Sequence, residues 1–304
     1  FIALGFLSNQ LLEEWEEDLF SSQVIYAKET PYQKLVLTQN KDDIRLYINQ
    51  IIQFSSIDEY RYHESLALIP LNAATYKKKV LILGGGEGLL ARELLKEDKI
   101  EEVTIVDLDP DMFVLAKENP HIIALNEGVM THPKVKTVAM DAMTYLFENN
   151  QLYDLIIADL PDPSNDALAR LYSTSFYRLV YNRLSAEGIF VTQASSTFHT
   201  NRTFWCIYET VKVSGFSHIY PYHAYVPSFG DWGFVMGTKR SLSPQIYQSD
   251  YPVKYLDTTL VRQMFFFEKD INNPNNLEVN RLDHPILLDY FLEDWEKWRK
   301  EKKG

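Results

Sequence analysis

Apolar and polar positions change rhythm twice along this chain. Residues 8–20 repeat apolar positions at helical spacing, which predicts an amphipathic helix. Gln33–Thr38 and Ile44–Ile48 alternate around Asn40-Lys41-Asp42-Asp43, a hairpin signal, and Ile51–Phe54 adds a third short strand. Ser56 to Leu71 then reads as a helix, with Ser56 as N-cap and Glu59 three residues on in capping-box spacing. From Lys79 short apolar runs alternate with helical stretches. Strands are predicted at 80–83, 103–106, 135–138, 154–158 and 188–193, and helices at 88–97, 110–118, 141–148, 173–184 and 199–214. Two strand-like runs, 217–223 and 232–238, follow with no convincing helix between them. The tail, 257–299, reads as helices broken by Asn272-Asn273-Pro274-Asn275-Asn276.

Alternating strands and helices predict an α/β fold with a doubly wound, Rossmann-like parallel sheet, and ligands at the carboxyl ends of its strands. A terminal hairpin on such a sheet resembles the S-adenosylmethionine-dependent methyltransferase arrangement more than the nicotinamide one. The expected organisation is an N-terminal segment over 1–30, a small β-hairpin domain over 31–55, a catalytic domain over 56–245 and a helical tail over 246–304.

Charge and composition narrow the partners. A net charge of −12 over 304 residues disfavours nucleic acid and anionic lipid, and attracts cationic ligands. One cysteine, Cys206, excludes an internal disulfide and a cysteine-rich zinc site. The histidines show no HxxxH or HExxH spacing, so no metal site is expected. The chain opens on Phe1, so an upstream segment is expected to have been removed. Phe1–Leu7 is apolar but far short of the roughly 20 residues that span a bilayer. It reads either as a strand or staple of a soluble domain, or as the end of a membrane helix.

The predicted strand ends carry the chemistry. After the first comes Gly84-Gly85-Gly86-Glu87-Gly88, a strand–glycine–helix turn that brings backbone against a cofactor. Helix N-termini favour anions, and Glu87 there would repel a pyrophosphate. GxGxxG also needs a small residue where Leu89 stands. An adenosine cofactor without phosphate, with a sulfonium as its cation, fits better. Asp107 lies 23 positions after Gly84, close to the spacing of a ribose-binding acid. Asp141-Ala142, then Asp159-Leu160-Pro161-Asp162-Pro163, then Gln193 end the next three strands. Asp159 and Asp162 suit a substrate amine, as ammonium ligands and proton acceptor. Bland readings compete: a plain turn for the glycines, a helix cap for Asp107, a loop-capping pair for Asp159 and Asp162. Tyr60, His63 and Glu64 share one face of the helix after Ser56, where a solvated surface is the competing reading.

Together these residues resemble the polyamine aminopropyltransferases, the spermidine synthase family, over about residues 31–240. The anchors are Tyr32-Gln33, Gln53, Asp58-Glu59-Tyr60-Arg61-Tyr62-His63-Glu64, Gly84–Gly88, Asp107, Asp141-Ala142, Asp159–Pro163 and Gln193. The resemblance implies transfer of an aminopropyl group from decarboxylated S-adenosylmethionine, a co-substrate, to a diamine such as putrescine. Spermidine and methylthioadenosine would be the products. It implies cofactor contacts at Gln33, Gln53, Gly84, Gly86, Asp107, Asp141 and Ala142. It implies substrate contacts at His63, Glu87, Asp162, Tyr62 and Gln193, with Asp159 as proton acceptor. A homodimer or tetramer is expected.

The chain departs from the family in three places. Glu87 replaces the usual Asp of the glycine loop. Ser164-Asn165-Asp166 replaces a Gly-Pro segment near the cofactor. Tyr225-Val226-Pro227-Ser228-Phe229-Gly230-Asp231-Trp232-Gly233-Phe234 replaces a Pro-Thr-Tyr-Pro stretch. That last version resembles a bacterial branch with a membrane region before the synthase domain, which implies a domain on the cytoplasmic side tethered to the membrane. Two other functions stay open: an amine methyltransferase using S-adenosylmethionine, and a non-catalytic polyamine sensor.

Overall fold

The computed structural model describes residues 22–303. The predicted helix over 8–20 and the segment Phe1–Leu7 lie outside them. Among the described residues no helix is long and apolar enough to cross a membrane. The chain divides after Glu59 into two compact units.

The first unit is an antiparallel meander of β1 (Gln23–Glu29), β2 (Lys34–Asn40), β3 (Asp43–Ile48) and β4 (Ile51–Ser55). Pairing of β2 and β3 runs to Asn40 opposite Asp43, so Lys41 and Asp42 form a two-residue turn, with Lys41 at φ 56°. Leu35, Leu37, Leu46 and Phe54 are buried, but so are Val36 and Thr38, so β2 is covered on both faces and its burial does not alternate. Strand β1 falls in the stretch assigned above to an N-terminal segment. It is an edge strand with no fully buried residue, so its apolar alternation is weak. The expected capping box does not form. The helix begins at Glu59, and Ser56 Oγ instead accepts from the Ile44 N–H at 2.9 Å, closing β3 against the end of β4.

The second unit carries a seven-stranded sheet ordered β10-β11-β9-β8-β5-β6-β7. Its strands are β5 (Lys79–Gly84), β6 (Glu102–Asp107), β7 (Val135–Ala139), β8 (Tyr153–Asp159), β9 (Leu184–Ser196), β10 (His218–Val226) and β11 (Gly230–Thr238). Strands β5 to β9 are parallel, and β11 inserts antiparallel between β9 and β10. Helices cover both faces of a parallel sheet, so its central strands read as continuous apolar runs. Val80–Leu83 and Leu155–Ala158 are wholly buried. Chain direction across the sheet reverses between β5 and β8, where a crevice opens beyond the carboxyl ends. Gly84 and Asp159, the last residues of those strands, are direct register partners. One helix was not anticipated: Pro120–Asn126, which opens on Pro120. That proline occupies the first helical turn, where proline is tolerated, and Asn119 caps the helix through the His121 and Ile122 N–H groups.

Candidate active site

The floor of the crevice is built from glycines that admit no substitute. Gly84 has φ +85°, and a Cβ there would lie 2.0 Å from the Asp159 carbonyl oxygen. A Cβ on Gly86 would meet Asp107 Oδ2 and Met112 Cγ, each at 2.7 Å. Close approach between loop and strand ends therefore depends on bare backbone. It lets the Gly86 N–H donate to Asp107 Oδ2 at 3.2 Å while the Asp109 N–H donates to Oδ1 at 2.9 Å. Burial pushes Asp107 up to about 6, against those two donors. Its carboxylate is thus fixed in orientation at the end of β6, with acceptor capacity left for hydroxyl groups.

The helix Glu59–Ala73 brings the second set of groups. His63 and Glu64 are 3% and 1% exposed, so the solvated-surface reading fails. Tyr62 Oη donates to Asp159 Oδ1 at 2.5 Å. Burial and the Asp159 charge hold the Tyr62 phenol well above its ordinary value, so it stays a donor. His63 Nε2 lies 3.8 Å from Glu87 Oε1. One polar atom each from His63, Glu87 and Asp159 falls within 4.8 Å of the others. No sequence spacing announced this cluster, a donor set that could also hold a metal ion. Burial and Asp159 raise Glu87 to about 7, with His63 opposing. Burial also raises Asp159, against His63 and the Tyr62 hydroxyl. Two buried carboxylates this close attract a cation, because one restores the charged form of both.

Glu64, on the same helix, points away from this cluster and is fully used. Its carboxylate accepts from the Lys254, Tyr255 and Leu256 N–H groups at 2.7, 3.0 and 3.2 Å.

Asp162 sits past the end of β8, and its Oδ1 is buried without a hydrogen-bond partner among the described residues. Burial pushes its carboxyl up to about 6, with Ser195 and Gln193 nearby opposing. Gln193, read from the resemblance as a substrate contact, has its amide committed elsewhere. Nε2 donates to the Leu160 carbonyl at 2.6 Å and to Tyr172 Oη at 2.5 Å, and Oε1 accepts from the Ser195 N–H at 2.8 Å. Tyr172 Oη in turn donates to the Leu160 and Pro161 carbonyls. These two side chains brace the loop that carries Asp159 and Asp162. Tyr172 has no signal in the sequence.

Asp141 caps the helix Ala142–Glu148 by accepting from the Thr144 N–H, and Ala142 is buried at its first position. The other Asp141 oxygen pairs with Arg170, a second residue the sequence did not single out. That pair spans the Ser164–Asp166 departure, since Asn165 caps the short helix Asp166–Ala169 just before Arg170. Gln33 and Gln53 belong to the first unit. Gln33 lies just before β2, with its N–H on Thr30 Oγ1, and Gln53 lies in β4 with its amide on the Ile51 carbonyl.

Comparison with known proteins agrees with this architecture. The spermine/spermidine synthase domain matches residues 59–247. Polyamine aminopropyltransferase 2 of Ralstonia nicotianae is 43% identical over 295 residues, covering 96% of this chain and 57% of that protein. The polyamine aminopropyltransferase of Leptospira interrogans is 38% identical over 299 residues, covering 97% and 59%. The chain thus spans little more than half the length of these relatives. Among solved structures, spermidine synthase in complex with the transition state analogue AdoDATO superposes with a TM-score of 0.75 at 24% identity, covering 81% of this chain and 85% of that one. Spermidine synthase from Thermotoga maritima gives 0.73, also at 24%, covering 81% and 84%. These two share the fold: a central mixed sheet with an N-terminal antiparallel hairpin sheet. With the domain match covering most of its length, the chain belongs to the spermine/spermidine synthase domain family.

Proposed function

We propose that this chain transfers an aminopropyl group from decarboxylated S-adenosylmethionine to a small diamine, putrescine in the first instance. The observation that carries this reading is the buried cluster of His63, Glu87 and Asp159 beside the orphaned Asp162 Oδ1, at the mouth of a glycine-lined crevice. Such a site asks for cations with N–H donors. Family membership and the names of the relatives support it.

Asp107, held by two backbone N–H groups, would bind the ribose hydroxyls of the adenosine moiety. Asp162 and Asp159 would bind the acceptor amine, and Glu87 with His63 the aminopropyl end. The attacking nitrogen forms its bond to carbon as the carbon–sulfur bond breaks. The sulfur keeps that electron pair and becomes a neutral thioether, and the nitrogen's proton passes to Asp159.

Magnitudes bear on that proton. An ordinary alkylamine near 10.4 and an aspartate near 3.9 differ by about 9 kcal/mol at roughly 1.4 kcal/mol per unit. Burial lifts the Asp162 carboxyl to about 6, which narrows such a gap. Burial moves Asp159 in the same direction. A neighbouring sulfonium lowers the amine further, and proton loss concerted with bond formation removes the rest. The protein's main contribution is alignment and exclusion of water.

Mass spectrometry of products formed from decarboxylated S-adenosylmethionine and a panel of diamines tests this. A mass increase of one aminopropyl unit together with methylthioadenosine is the expected result. Methylated amine from intact S-adenosylmethionine would replace the proposal with a methyltransferase. Binding of methylthioadenosine and polyamine without any product would indicate a sensor.

A further inference from the structure

His223 lies on β10, on the strand face opposite the aromatic residues that meet the active site. Both of its ring nitrogens face acceptors. Nε2 is 2.8 Å from the Phe266 carbonyl oxygen, and Nδ1 is 2.8 and 2.9 Å from the two carboxylate oxygens of Asp231 on β11. A carbonyl oxygen cannot donate, so Nε2 carries a proton. A neutral ring would then set the Nδ1 lone pair against a carboxylate. Asp231 also accepts from the Thr197 hydroxyl. The arrangement is that of an imidazolium gripped at both ends.

This grip joins two elements. The His223 backbone N–H donates to the Met264 carbonyl at 3.0 Å, and the ring packs on Phe267 at 4.7 Å between centroids. Segment 264–267 is thereby fastened to the β10–β11 hairpin. On the other face of that hairpin, Tyr222 and Phe234 are cross-strand partners, and Phe229 forms its turn. The Tyr62 ring lies 5.5 Å from Phe234 and 5.9 Å from Phe229, and Tyr62 donates to Asp159. Asp231 is tied further to the end of β9, where its carbonyl accepts from the Thr197 N–H and the Ser196 hydroxyl.

We propose that His223, held as an imidazolium between Phe266 and Asp231, is a positioning residue that fixes the β10–β11 hairpin and, through it, the placement of Tyr62 against Asp159. The role in turnover rests on the aminopropyl-transfer reading; the protonation and its mechanical effect do not.

The groups facing the ring are Asp231 from β11 and Glu268 from the fastened segment. The pair borders a cavity of about 560 Å³, whose polar lining also includes Tyr225, Tyr255 and Gln263. Burial opposes the charge on His223, but Asp231, the Phe266 carbonyl and Glu268 outweigh it and raise the ring above its ordinary value. With the folded value raised, the fastening is complete below the ordinary histidine range and is lost as pH rises through the folded value.

NMR titration of the His223 ring and of the Tyr62 ring resonances, in the whole chain, tests this. His223 should titrate above the ordinary histidine value of about 6.5. Asp231→Asn should lower its midpoint by about one unit or more. Tyr62 resonances should follow the His223 curve in the wild type and lose that inflection in His223→Gln. Where turnover is measurable, kcat/KM should fall along the same curve at high pH, and His223→Gln should lower it by about tenfold and lack that limb. A midpoint at or below 6.5, no change in Asp231→Asn, or Tyr62 signals indifferent to His223 would overturn the proposal. If no aminopropyl transfer is found while both NMR results hold, the functional reading fails and the positioning of Tyr62 stands.

Discussion

Tyr62→Phe isolates one hydrogen bond in the acid cluster. The ring contacts to Phe234 and Phe229, at 5.5 and 5.9 Å, survive the change, and only the 2.5 Å donation to Asp159 Oδ1 is lost. A hydrogen bond to a charged partner contributes about 1.5–3 kcal/mol. That bond favours the ionised carboxylate, so its loss raises Asp159 further. At about 1.4 kcal/mol per unit the rise is roughly 1–2 pH units. Turnover that needs ionised Asp159 should therefore fail at a higher pH: the acid limb of kcat/KM moves up by that amount, while the alkaline limb stays. Glu87, raised to about 7, is linked to Asp159 through charge. The pair then gives macroscopic limbs, and the comparison of variant with wild type reports the shift of the pair. A full pH profile under low-substrate conditions supplies the measurement. An acid limb unmoved within a few tenths of a unit would refute the argument that this hydroxyl tunes Asp159.

Four further outcomes are expected. Asp159→Asn should lower turnover by about 100-fold or more while methylthioadenosine binding, read by calorimetry, stays nearly intact; unchanged turnover would remove its role as proton acceptor. If Glu87 narrows the aminopropyl end, putrescine should react far faster than spermidine, and equal rates in a competition assay would count against that view. Gly84→Ala places a Cβ 2.0 Å from the Asp159 carbonyl at φ +85°, so chemical denaturation should show a loss of about 4 kcal/mol or more, and a loss under about 1 would contradict the close approach. A chelator should leave turnover unchanged, because His63, Glu87 and Asp159 are assigned to the amine; activity lost and restored by a divalent ion would reassign them to a metal.

The sheet was legible because its central strands are buried on both faces and read as apolar runs, and because β5, β6 and β8 end in Gly84, Asp107 and Asp159. Strand β1 was not, since an edge strand half exposed along its length needs no alternation. The helix Pro120–Asn126 was missed because seven residues carry too few turns to show an apolar period. For the site, Gly84, Asp107, Asp159 and Asp162 could be found by position, as they follow strand ends. Nothing local places Tyr62 on Asp159, 97 positions away, or His63 beside Glu87. Resemblance to a family brought these residues to one site without pairing them. Resemblance also credited Gln193 with a substrate contact, and its amide turns out to be spent on Leu160, Tyr172 and Ser195.

The Glu64 carboxylate has a consequence for where the working unit ends. The family domain matches residues 59–247, yet three backbone donors that neutralise this buried acid come from residues 254–256. A fragment trimmed to the matched boundary would keep every acid of the crevice and still strand a charge inside the helix that carries Tyr62 and His63. A chain cut before residue 254 would therefore be expected to hold that helix less firmly than the intact one.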